Sequence, residues 1–229
     1  YHYDDYDENI VWMMAHCRGD LDKKLDDFEI LRVSKYNGKS RVKDPMDDSL
    51  VPIIPYEKLD DVATAFLQEY YPAALRIPMR GQDPVWVDPT ELAKNMGLTV
   101  RNQRIREDGS VFGQIYFDDT DTVMYDANED ADVPTHIKGK TIVVDPQIYL
   151  LRNLGSFNNT IVHECVHWTK HRKAFKLEQL FNTDASYISC EVVGDADSRI
   201  SIKSTKYMEK QANQLAPRIQ MPKEPFTIK

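Results

Sequence analysis

No apolar run in the chain approaches the length of a membrane span, which is the pattern of a soluble globular protein. Cysteine is scarce: three in 229 residues cannot pair off into a disulfide framework, and a reducing cytoplasmic setting is the simplest expectation. Positive charge is outweighed, with 29 Lys and Arg against 37 Asp and Glu and a formal net charge of −8. That balance argues against direct nucleic-acid binding, and no membrane partner is expected either. There is no internal repeat, no low-complexity tract and no glycine loop of the kind that cradles phosphate. Nor can a Ser/His/Asp nucleophilic set be assembled from residue order alone. The chain opens at Tyr1 rather than at Met and shows no signal peptide, which suits an excised piece of a longer protein, one that has lost an export signal included. At this length, with 41% hydrophobic residues, one good core fits, with an appended segment.

What the sequence does hold is concentrated between Ser156 and His171, with His163-Glu164-Cys165-Val166-His167 at the centre. On a helix, His163 and His167 share one face with about 6 Å of rise between them, a gap that two imidazoles can close around one ion. Glu164 sits beside that face, where it can take a proton from water without being a ligand. Phe157, Ile161, Val162, Cys165, Val166 and Trp168 make the surround apolar, with Cys165 on the core side. A polar stripe of His163, Glu164, His167 and His171 is costly to bury unless those groups have partners, and a zinc ion is one. The same pattern also arises by chance on ordinary helices, so a third ligand decides. Glu209, in the helical stretch Tyr207 to Ala216, completes a His2Glu set. Asn213, one turn further on, is placed to accept from a histidine N–H and so choose which ring nitrogen faces the metal.

These residues resemble the ImmA/IrrE family of zinc metallopeptidases, which pairs HExxH with a later E-x-x-A-[DN]-x-x-A…MP signature on a second helix. Here the second motif reads Glu209-Lys-Gln-Ala212-Asn213-Gln-Leu-Ala216, then Met221-Pro222, and the resemblance spans roughly residues 56–222. Cys165-Val166 stands where Leu-Gly is usual, the linker between the motifs is long, and Pro217 is expected to interrupt the second helix. The resemblance implies a gluzincin-like zinc endopeptidase with Glu164 as general base. It also implies an α+β, zincin-like fold in which a small mixed or antiparallel sheet packs on helices. Members of the family act on helix-turn-helix repressors, so a separate repressor protein is the implied substrate. His171, Tyr187 and Tyr207 are candidates, by residue type and position, for a group that stabilises the oxyanion or borders the cleft. For His171, a hydrogen-bonded residue at the cleft edge is an equally good reading. A non-catalytic zinc-binding sensor or interaction module on the same fold is the main alternative, and an interaction domain without metal is a third.

The rest of the chain reads as scaffold. Residues 1–55 form an N-terminal extension and linker, with one or two helices expected in 1–36 from Leu21, Leu25, Phe28 and Leu31. His2 and His16 lack partners at ligand spacing. The peptidase-like domain is expected over 56–229. Leu59, Val62, Ala63, Phe66, Leu67 and Tyr70 mark an amphipathic helix stopped before Pro72. Asp88, Pro89, Glu91 and Gly97 signpost a second. Leu98 to Ile105 reads as a strand, and Val111–Phe117 with Thr122–Tyr125 as a hairpin. Residues 118–132, acidic without Lys or Arg, read as a solvated loop rather than a calcium loop, because the EF-hand spacing and its Gly are missing. Lys140 to Val144 is a final strand, placed to border a substrate cleft, and Lys173 to Phe181 either continues the motif helix or forms a short second one. Residues 182–204 hold either a short strand or a lid.

Overall fold

In the computed structural model of the chain the described residues are 13–19, 29–35, 46, 47, 49–181, 187–191 and 202–226. The chain divides into two compact units, Tyr1–Pro45 and Met46–Lys229, a boundary that lies upstream of Tyr56. In the first unit, β1 (Met13–Arg18) and β2 (Glu29–Lys35) pair antiparallel, with a register shift between His16 and Cys17. The helices expected there are not what these residues form. Leu31, the last member of the supposed helical stripe, lies in β2, whose Ile30 and Val33 are β-branched and suit a strand. Leu21, Leu25 and Phe28 lie outside the described residues.

The second unit is a mixed α+β structure. α1 (Leu59–Tyr70) buries Leu59, Ala63, Phe66 and Leu67, and it stops at Tyr71 because Pro72 disfavours helical geometry in the residue before it. α2 (Pro89–Asn95) begins as its sequence signals. Asp88 Oδ1 accepts from the N–H groups of Thr90 and Glu91 at 2.8 and 3.1 Å, and Pro89 occupies the first position, where its missing N–H costs nothing. Tyr71 Oη donates to Glu91 at 2.7 Å and ties the two helices together.

Among the described residues the main sheet has the order β3-β7-β4-β8, from β3 (Thr99–Asn102), β4 (Val111–Tyr116), β7 (Thr141–Val144) and β8 (Tyr187–Glu191). β3 runs parallel to β7, while β4 runs antiparallel to both β7 and β8. β7 is buried along its whole length, which explains its unbroken apolar run. Ile142 and Val144 enter the main core with Leu67, Ile161, Val162 and Leu215, whereas Val143 points to a smaller core with Ile105, Met124 and Ile137. Period-two alternation therefore serves two cores at once.

The hairpin expected between Val111–Phe117 and Thr122–Tyr125 does not form. β5 (Thr120–Asp126) pairs instead with β6 (Ala131–Ile137), and this ribbon covers the smaller core through Met124 and Ile137. The acidic stretch is thus largely strand and turn. Its carboxylates are used locally: Asp118 accepts from Lys176 Nζ at 2.7 Å and from Gln179 Nε2 at 2.8 Å, and Asp119 accepts from the N–H of Gly139 at 2.8 Å. These anchors turn the chain out of β4 before it can fold back on it. Pro134 is accommodated because its strand belongs to a two-stranded ribbon. Residues 187–191 form a strand, β8, rather than a lid. Among the described residues no helix is long and apolar enough to cross a membrane.

Asp145, at the end of β7, is 1% exposed and organises the turn into α3 (Gln147–Leu151). Its carboxylate accepts from the N–H groups of Ile105 and Gln147 at 3.1 and 2.9 Å and faces Arg104 Nε at 3.4 Å. Asp145→Ala strands the Ile105 donor in the interior, and urea unfolding should show a loss of about 1–3 kcal/mol. A loss below that range would mean that water or another acceptor replaces the carboxylate.

Candidate metal centre

α4 (Leu154–Val166) starts at Asn153, whose side chain accepts from the N–H of Ser156 at 2.8 Å. It buries Ile161, Val162, Cys165 and Val166 against the sheet and the other helices, and with them His163 and Glu164. The helix does not end after the motif. It passes through a π turn, His167–His171, into α5 (Arg172–Phe181). Thr169 Oγ1 donates to the carbonyls of Cys165 and Val166 at 3.3 and 3.2 Å, occupying acceptors that the wider turn loosens. Three imidazoles consequently lie in a row, each tilted against the next, with centroid spacings of 4.7 Å for His163–His167 and 4.8 Å for His167–His171.

α6 (Ile202–Gln220) packs Met208, Ala212, Leu215, Ala216 and Ile219 inward, with Ala212 and Ala216 joining the core that α4 also enters. Pro217 does not interrupt this helix, which continues to Gln220. The acceptor that Pro217 leaves unserved is the carbonyl of Asn213, and one missing hydrogen bond near a helix end is tolerable when the buried face holds the helix in place.

The two helices bring the expected ligands together. His163 Nε2 lies 3.2 Å from Glu209 Oε2, His167 Nε2 lies 3.1 Å from Glu209 Oε1, and the two Nε2 atoms are 2.9 Å apart. His163, His167 and Glu209 could together hold a metal ion. Burial lowers the pKa of His163. For Glu209 burial alone would raise it, but the facing His167 and His163 outweigh that and hold the carboxyl below its usual range. Asn213 hydrogen-bonds His163, and both border a cavity of about 340 Å³ lined also by Phe112, Ile148, Arg152, Ser156 and Thr160.

Glu164 is fully buried beside this cluster, and neither of its carboxylate oxygens has a hydrogen-bond partner. Burial first, then the charge of Glu209, pushes its pKa well above the usual carboxylate range. No protein family model, curated protein or solved structure matches the chain.

The other expected site residues fall elsewhere. His171 is not at the cleft. It is enclosed behind His167, with Nδ1 2.9 Å from His167 Nδ1 and Nε2 2.9 Å from Gln211 Oε1, so both ring nitrogens are engaged and neither can reach a substrate carbonyl. Burial, then His167, pushes its pKa down to about 3. Tyr207 is turned away from Glu209 and packs against Val51, Ala174 and Met208, as a residue two positions before the ligand must on a helix. Tyr187 lies in β8, where its backbone pairs with Tyr116.

Two residues of the centre were not singled out from the sequence. One is Gln211, which is 1% exposed. The other is Gly113, in the middle of β4, and a glycine inside a strand run is itself a signal of close approach. A Cβ there would lie 2.5 Å from Thr160 Cγ2 and 3.1 Å from Glu164 Oε1. Gly113→Ala must therefore push α4 off the sheet, with an expected stability loss of about 1–3 kcal/mol. Thr160→Ser removes the offending methyl and keeps the hydroxyl that donates to the Ser156 carbonyl at 3.1 Å. Adding it to Gly113→Ala should restore part of the loss in thermal unfolding, and no restoration would place the clash elsewhere.

Proposed function

We propose that the chain is a zinc-dependent endopeptidase with a zincin-like fold, related in kind to the ImmA/IrrE peptidases. The observation that carries this reading is the meeting of His163 Nε2, His167 Nε2 and Glu209 at 2.9–3.2 Å from one another, with the unpartnered carboxylate of Glu164 alongside. Zinc held at about 2.0–2.1 Å by nitrogen and oxygen ligands in a tetrahedron separates those ligands by about 3.3 Å, close to the spacing here. The donor set suits zinc, and it leaves a fourth position for the reaction. Bound there, zinc would supply Lewis acidity to a water and to the scissile carbonyl.

The rest falls to the protein's own groups. Glu164, dry and without a competing partner, takes a proton from the attacking water on its carboxylate and returns it to the leaving amine nitrogen. A non-catalytic metal site would have no need of that carboxylate. Asn213 orients His163 at the cavity edge. Substrate chain would enter the cavity beside His163, and the substrate class proposed by resemblance is a helix-turn-helix repressor.

Metal analysis of protein purified without added zinc, followed by incubation with a candidate repressor and fragment mass measurement, tests the reading. One zinc per chain and discrete cleavage are expected. A metal-free, inert protein would overturn it. Asn213→Ala should weaken zinc binding by about 10–100-fold in competitive chelation, the usual cost of losing an orienting partner, and an unchanged affinity would take Asn213 out of the site.

A further inference from the structure

His171 and Gln211 are buried polar residues that the proposed reaction does not use, and they connect the metal centre to the backbone of an otherwise irregular segment. Gln211 Nε2 donates to the carbonyl of Pro52. A carbonyl can only accept, so the orientation of the Gln211 amide is settled: its NH2 faces Pro52 and its Oε1 faces His171. The reverse orientation would set two buried acceptors against each other at one end of the amide. His171 Nε2, 2.9 Å from Oε1, must then carry a proton. His171 is 0% exposed, with one ring nitrogen on a neutral amide and the other on a second imidazole, so it is neutral and its Nδ1 is bare. That bare nitrogen lies 2.9 Å from His167 Nδ1, which must be the donor. With its proton held on Nδ1, His167 leaves its Nε2 lone pair directed at Glu209 and His163.

We infer that Gln211 and His171 are positioning residues that dictate the tautomer of His167, with the Pro52 carbonyl setting the direction of the whole relay. The inference rests on the zinc reading for its purpose, although not for its geometry. A histidine ligand usually hands its second N–H to a carboxylate, a carbonyl or water. Here a second imidazole takes that place, and it can accept only because Gln211 occupies its far nitrogen. The π turn is what allows this: it carries His171 alongside His167 in the same row of rings. The segment around Pro52, far from the motif in sequence, thereby becomes part of the metal centre.

The test is histidine nitrogen NMR on the zinc-free chain, at a pH above the usual histidine range, combined with zinc competition. The wild type should show His171 protonated on Nε2 and bare on Nδ1, with His167 protonated on Nδ1. A His171 carrying its proton on Nδ1 would overturn the relay, whatever the protein does with zinc. Gln211→Leu removes the acceptor, so the proton of His171 should spread over both nitrogens and zinc affinity should fall by about 10–100-fold. If Gln211→Leu folds and keeps both the tautomers and the affinity, the positioning role is refuted. If the wild type shows these tautomers but binds no zinc, the metal reading fails and the purpose assigned to the relay fails with it. The wild-type spectrum decides the proton order even if the variant does not fold.

Discussion

If the chain is the zinc peptidase proposed above, Glu164→Gln should leave metal binding intact and abolish cleavage. The amide has the size of the carboxyl but cannot take a proton from water at neutral pH, and positioned acid–base groups contribute on the order of 10²–10⁴-fold to rate. Cleavage of a susceptible substrate should fall by at least that range, while zinc content stays at the wild-type level, because Glu164 lies outside the group that could hold the ion. Stability should not fall either. The wild-type carboxyl is fully buried without a hydrogen-bond partner, a cost that a neutral amide does not increase. Undiminished cleavage would end the general-base assignment. Loss of zinc as complete as that of a histidine variant would make Glu164 a ligand.

His163→Ala combined with His167→Ala should abolish zinc binding. Two of the three converging donors disappear, and Glu209 alone is a single carboxylate with a quarter-exposed side chain. Two readouts follow. Metal analysis should find the double variant empty, and adding zinc should raise the unfolding temperature of the wild type but not of the variant, since a ligand stabilises only a fold that binds it. Stoichiometric zinc in the double variant would refute the ligand set. An equal thermal response in both proteins would place the ion elsewhere.

How far these features could be read from the sequence depends on how local their causes are. α2 was legible because Asp88 and Pro89 act within one turn of it, and α1 because its apolar stripe ends at Tyr71-Pro72. The His163–His167 pair was legible because one helical turn joins its members, and Glu209 because only a third ligand completes the chemistry. β5 was legible as a strand at Thr122–Tyr125 but not in its pairing, and β6 was not legible at all, because strand partners are chosen by distant packing on Met124 and Ile137. The pairing of β1 with β2 was missed for a related reason: a few apolar residues at helical spacing did not outweigh backbone pairing between the two strands. His171 was noticed but misplaced. Its true position depends on a π turn, and no residue pattern announced that turn.

The ligand group draws on two helices that lie far apart along the chain. His163 and His167 stand at the end of α4 and its π turn, and Glu209 stands in α6, beyond the β8 strand. An ion held by all three would act as a removable staple across that span of sequence, constraining the unfolded chain much as a disulfide does. Chelation should then act first on the seam between the helices and only afterwards on the sheet. Amide exchange in α6 would quicken while β7, buried from end to end, kept its protection. Metal supply would in this way govern the lifetime of such a protein, since a chain in which α6 has come undone is open to proteolysis.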